Sequence, residues 1–188
     1  MEMQATPTTD LPAAGDENFA IAGGGTVGSG GGGVPDTPDA PGAEGIIVDQ
    51  WGPNFIWSGS QNWNTIRSEN AIEGVYITTD NSEMIFRMYG RWNTFLHDAG
   101  NYNVYVYVPL YTEAGNVTNS ARYRVFHSGT LSDPIVVNQA VVGGEWVLLG
   151  TFNFDAGGSQ FVYLNDMTGE ESGTTHVLFD AVRLTPAD

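Results

Sequence analysis

Residues 49–64, DQWGPNFIWSGSQNWN, set three tryptophans among Asn, Gln and Ser. That mixture has a recognisable chemistry. An exposed indole offers an apolar face to a pyranose ring, and nearby amides bond the sugar's hydroxyls. Trp51, followed by Gly52 and Pro53, is the better candidate for exposure, and Trp57 is the next. Gln61 and Asn62 supply amides, so these four residues form the candidate glycan site. The plain alternative is that the tryptophans pack beneath a long loop.

Other residues offer less. Histidines stand at 97, 127 and 176, one before a turn, one ending an expected strand and one beginning another. No G-x-S-x-G elbow accompanies them, and their spacing assembles no triad. A glycosidase needs two carboxylates at a set separation. Fifteen acids follow residue 45, so some pair would qualify by chance and the pattern selects none. The turn Asn165-Asp166-Met167-Thr168-Gly169-Glu170-Glu171 could offer oxygens to calcium but lacks the spacing of an EF-hand. Such turns are usually just solvated, so no metal ligand and no cofactor is assigned, with a structural calcium here as the alternative. Asp180 and Arg183, three apart in the last expected strand, face opposite sides and pair with other elements rather than with each other. Asn116-Val117-Thr118 is a glycosylation sequon, meaningful only in a eukaryotic secretory pathway.

These side chains belong to a chain of 188 residues with 22 acidic residues, six arginines and no lysine. The net charge of −16 leaves no evident cationic patch for nucleic acid or an anionic membrane surface, so neither is an expected partner. Cysteine is absent, which excludes disulfides, thiolate metal sites and cysteine nucleophiles. No apolar run approaches the ~20 residues of a membrane span. The start, MEMQATPTTD, has neither a basic region nor an apolar one and is not read as a signal peptide.

Residues 1–45 hold 11 of the 25 glycines, five of the nine prolines, seven acids and no base. Such a segment buries too little apolar area to offset its chain entropy, so a flexible Gly/Pro-rich arm is expected. Phe19 and Ile21, in ENFAIA, alternate as in a short strand and are the candidate anchors that would seat in a neighbouring subunit's groove.

From Ile46 the pattern changes to short runs rich in Val, Ile, Tyr, Phe and Thr. GVYITT, EMIFRMYGRW, YNVYVYVP, ARYRVFH, PIVVNQ, EWVLLGTFNF, QFVYLND and THVLFDAVRL read as strands between turn signals. NTIRSENAIEG is at best a turn or two of helix. The expected fold of residues 46–188 is all-β, an antiparallel sandwich of jelly-roll-like form. YNVYVYVP, apolar at nearly every position, reads as a central strand covered on both faces. In GGEWVLLGTFNFDAG, Val142-Gly143-Gly144 reads as a hairpin turn with positive φ. Strict alternation would then put Trp146, Leu148, Gly150 and Phe152 on one face, and Val147, Leu149, Thr151 and Asn153 on the other. With no lysine and no following helix, the stretch is framework and not a phosphate loop.

Those same residues carry a resemblance. VNQ at 137–139, the GG-x-W-x-x-LG-x-F-x-F block from 143, and FDAVRL at 179–184 resemble the C-terminal domain shared by golvesin and bacterial xanthan lyases. IIVDQ at 46–50, Trp92 with Leu96 and Gly100, NYNVYVYVP and ARYRVFHSG fit in order, so the match spans about 46–186. The segment before Trp63 is slightly longer than in the family. The resemblance implies a β-sandwich related to carbohydrate-binding modules, set at the end of larger secreted proteins, with no catalytic residues. It also implies that Trp63 is core.

Two readings follow, both non-enzymatic. In the first, preferred for its Met1 start, lack of a leader and lone module, the protein is a structural, adhesive subunit of a virion or cell surface. It docks onto neighbouring subunits through its N-terminal arm and projects a sandwich able to bind polysaccharide. In the second it is a carbohydrate-binding module of a secreted polysaccharide-degrading protein. A hydrolase is the third possibility, and no residue pattern supports it.

Overall fold

Runs of β-branched and aromatic residues, cut by Gly, Asn and Asp, can satisfy their backbone only by pairing with one another. The computed structural model, which describes residues 45–59 and 63–187, shows them doing so in thirteen strands. In chain order these are β1 (Ile46–Asp49), β2 (Phe55–Gly59), β3 (Asn64–Arg67), β4 (Val75–Asp80), β5 (Met88–Leu96) and β6 (Gly100–Val108). Then come β7 (Ala121–His127), β8 (Thr130–Leu131), β9 (Ile135–Val137), β10 (Glu145–Phe154), β11 (Gly157–Asn165), β12 (His176–Phe179) and β13 (Ala181–Pro186).

They form an antiparallel β-sandwich. A first sheet runs β1-β13-β6-β10, and a second runs β2-β5-β11-β7, with β8 and β9 both on β7. A third sheet, β12-β4-β3, joins the first, because β12 and β13 are one run interrupted at Asp180. At that residue the chain exchanges β4 for β1 as its neighbour. The Gln50 amide ties the two neighbours together by donating to the Val75 carbonyl. The Gln139 side chain stands in for a further strand: it accepts from Leu178 N–H and donates to Leu178 C=O, both at 2.9 Å.

Alternation selects the core. β5 turns Met88, Gly90, Trp92, Thr94 and Leu96 inward, β7 turns in Ala121, Tyr123 and Val125, and β11 turns in Gln160, Val162 and Leu164. Val104, Val106, Val182 and Leu184 of the first sheet are buried in the same cluster. Trp92 lies at its centre, its ring 6.1 Å from Phe179 at 21° and 5.0 Å from Phe55. Its indole N–H donates to the Asp180 carbonyl at 2.8 Å, which links the second sheet to the β12–β13 run.

Five local expectations are corrected. Residues 83–87 of EMIFRMYGRW are not strand; the chain bulges outward there and exposes Met84, Ile85 and Phe86. NTIR forms β3 against β4, because a paired edge satisfies its backbone, and only Ile72–Gly74 makes a 3-10 turn. Val142-Gly143-Gly144 is not a hairpin, since β9 lies in the second sheet and β10 in the first, although Gly144 does take φ 76°. Within β10 the register shifts between Leu148 and Gly150, where Gly150 has φ 148°. This bulge exchanges the faces. Trp146 and Leu148 lie opposite Tyr107 and Tyr105, but Thr151 and Asn153 follow them onto the outer face opposite Asn103 and Asn101. β6 is central, as expected, between β13 and β10, but it is not covered on both faces, because Asn101 is exposed and Asn103 and Tyr105 are half-buried on its outer side.

Candidate functional site

Strand β2 is the edge of the second sheet, paired to β5. Phe55 points into the core. Trp57, two residues on and on the same side, reaches past its rim and is 44% exposed. Trp51 sits in the turn after β1, held by its N–H on Asp49 Oδ1 at 2.7 Å, and is 59% exposed. The two indoles lie 6.4 Å apart at 68°. Trp57 packs on Trp63 at 5.5 Å, Trp63 on Phe179 at 5.0 Å, and Phe179 on Trp92. A file of five rings thus runs from solvent to the centre of the core. Its inner end fixes its outer end, so little rotamer freedom is left to lose on binding. Gly90, opposite Trp57 in β5, permits this packing: a Cβ there would lie 2.8 Å from the Phe55 ring and 2.9 Å from Phe179. The structure therefore brings Trp51 and Trp57 together at the surface and packs Trp63 against the core. Gln61, Asn62 and the arm with Phe19 and Ile21 lie outside the described residues.

The outer face of the second sheet holds residues that sequence reading did not single out. Between the inward residues of β5, β11 and β7 lie Tyr89 and Arg91, Phe161 and Tyr163, and Arg122 and Arg124. The register aligns Ile56, Arg91, Tyr163 and Arg124 in one row across four strands. Tyr89 tilts on Tyr163 at 5.6 Å, and Phe161 stacks on Phe126 at 5.0 Å and 12°. The Arg91 guanidinium lies over Phe161, 4.8 Å from its centre. Arg122 lies close over Gly169, where a Cβ would come within 2.7 Å of its Nη2. Together with Phe86, Leu131, Pro134 and Met167 these side chains bound an open groove of about 590 Å³. The signal was present in M-Y-G-R-W and A-R-Y-R-V: the positions left over by the core are arginine and aromatic. Their clustering also corrects the expectation that so acidic a chain has no cationic patch.

The remaining candidates are engaged in structure. His127 Nδ1 is 3.1 Å from the Asn153 carbonyl, His176 Nδ1 is 3.1 Å from Asp80 Oδ1, and His97 meets the Phe95 ring edge-on. In the acidic turn the Glu170 carboxylate accepts from Thr118 Oγ1, from Asn119 N–H and from Thr175 Oγ1. Burial raises its pKa, but these bonds outweigh that and hold it below the usual range. The buried Asn81 straps the turn, donating to Thr168 Oγ1 and to the carbonyls of Glu170 and Glu171. Among the described residues no three His, Asp or Glu side chains form a group able to hold a metal ion. Asp180 is buried and accepts Ile72 N–H at 3.2 Å; burial, aided by the charge of Asp49, pushes its pKa up to about 9. Arg183 faces the other way, its guanidinium between the rings of Tyr105 at 4.8 Å and Trp146 at 4.7 Å.

Comparison with known proteins agrees with this architecture. A xanthan lyase from Paenibacillus is 25% identical over 77% of the chain, with a TM-score of 0.66, and the chain spans 13% of that enzyme's length. A family 35 carbohydrate binding module from Clostridium thermocellum shares the fold at 15% identity and a TM-score of 0.52, with 74% of this chain and 98% of the module covered. A Podospora anserina β-(1,4)-mannanase carrying a family 35 module aligns at 12% identity and a TM-score of 0.50, over 77% of this chain and 28% of that one. No curated protein sequence matches the chain. No helix among the described residues is long and apolar enough to cross a membrane. The family model of the Golvesin C-terminal domain matches residues 46–186, and the chain belongs to that family.

Proposed function

We propose that this chain is a non-catalytic carbohydrate-binding module that works outside the cell and holds polysaccharide against the corner made by Trp51 and Trp57. The observation that carries the reading is this pair of exposed indoles, fixed from beneath by Trp63, Phe179 and Trp92. Large exposed aromatic surface is costly to keep in water, and here it is kept rigid. Each indole offers an apolar face to a sugar ring, and the 68° between them lets a chain bend around the corner. The sandwich shared with family 35 carbohydrate binding modules supports this reading. It favours the module over docking through residues 1–45, which the comparisons do not support.

Retention on a panel of insoluble neutral polysaccharides tests it. Trp51→Ala and Trp57→Ala should each lower retention, and the double variant should abolish it while the fold persists by circular dichroism. Full retention by the folded double variant would remove the site.

A further inference from the structure

We propose that the arginine-bearing outer face of the second sheet is a second binding site, a groove for a saccharide chain that carries acidic groups. It rests on the carbohydrate reading for the nature of the rings, and not on the tryptophan corner for its place.

Charge makes the first argument. The chain has six arginines against 22 acids, yet three of the six gather on one sheet face. Among the described residues none of Arg91, Arg122 and Arg124 lies within ion-pair distance of a carboxylate. Gathering like charges is unfavourable, and carboxylates to relieve it are abundant elsewhere in the chain. A patch left open in this way is complementary to an anion from outside.

Geometry makes the second. Arg91 and Arg124 occupy β5 and β7 in one row, with Tyr163 of β11 between them. Two strand spacings put their backbones about 10 Å apart, a span that fits charges on nearby units of an extended saccharide. Each planar guanidinium can take a carboxylate or sulfate through two parallel hydrogen bonds. Tyr163 and Tyr89 supply rings between and beside those forks, and Phe161 backs the Arg91 guanidinium, so the groove pairs stacking with anion recognition. Its volume, about 590 Å³, suits a short stretch of such a chain, and it lies open along the sheet.

Affinity electrophoresis of the full chain through polygalacturonate tests the proposal. The carboxyl-reduced form of the same polymer, poly-L-glutamate and oligothymidylate serve as comparisons. Polygalacturonate should retard the protein, added salt should weaken the effect, and carboxyl reduction should weaken it by about tenfold or more. Arg91→Gln and Arg124→Gln should show a similar loss, with Arg67→Gln, on β3, as the charge-matched control that binds normally. If Arg91→Gln unfolds because Arg91 packs on Phe161, Arg122→Gln replaces it. Absence of binding to polygalacturonate, or equal binding to its reduced form, overturns the proposal. Equal binding to poly-L-glutamate or oligothymidylate overturns it too, by showing an unselective polyanion site. Retention on neutral polysaccharide is scored separately, so failure of the tryptophan corner and failure of this groove give different results.

Discussion

The two outer faces of the sandwich use similar residues in opposite ways. On the first sheet the polar groups satisfy one another. Thr151 Oγ1 donates to Asn103 Oδ1 at 2.6 Å, Asn153 Nδ2 donates to Asn101 Oδ1 at 3.1 Å, and Tyr107 donates to the Asn70 carbonyl. Arg183 is closed between two rings. On the second sheet the arginines stand over an open groove with no carboxylate partner among the described residues. A cation between two aromatic faces is already solvated by protein, and a cation at the rim of a groove still has its hydrogen-bonding edge to offer. The difference marks one face as support and the other as a surface for a ligand.

The largest change available removes what both faces rest on. Trp92→Ala should cost about 3–5 kcal/mol, enough to unfold the domain or nearly so in a urea titration. Retention of native stability would show that the two faces do not share one core. A smaller effect comes from Asp180, whose pKa is pushed up to about 9. The folded state holds a proton there that the unfolded chain releases above its ordinary carboxylate pKa. Stability should therefore be greatest below about pH 4 for this group and fall as pH rises towards 9. Asp49 and Asp166, also raised by burial, act in the same direction, and Glu170 acts against them. Asp180→Asn should flatten the slope of melting temperature against pH, and an unchanged slope would exclude Asp180 as its source. Next, Arg183→Ala should cost about 1–2 kcal/mol through its two ring contacts and leave polygalacturonate binding alone. The smallest stability change belongs to Arg124→Gln, within about 0.5 kcal/mol, with the loss appearing in binding. If Arg183→Ala impaired binding and Arg124→Gln impaired stability, the assignment of the two faces would be reversed.

Much of this was legible in the chain. The strand character of β5, β7 and β11 was legible, and the buried residues of each alternate along it because each has one face in the core. The family pattern in VNQ and FDAVRL has a physical basis too, as Gln139 completes the pairing of Leu178 and Asp180 receives the Trp92 indole. Local rules failed where a single residue redirects the chain. Gly150 opens a bulge, and every side chain after it in β10 changes face. Met84, Ile85 and Phe86 look like strand but are carried outward, since the N–H groups of Ser82 and Arg87 on either side both donate to Asp166, the first to its carbonyl and the second to its carboxylate. The arginine groove was hidden for a different reason. Its arginines come from β5 and β7, and the strand that joins them, β11, begins only at Gly157, well after β7 ends at His127. Which strands become neighbours is a long-range property that no window of sequence contains.

The position of β13 has a kinetic consequence. The last strand described lies inside the first sheet, between β1 and β6, and β12 before it carries β4. Until residues 176–184 emerge from the ribosome, β1 and β4 have no neighbour on that side, and the Trp92 indole lacks the carbonyl it binds. The core can collapse early but cannot close. Folding of this domain should therefore be slow and wait for its last strand, with the exposed strand edges in need of protection until that strand arrives.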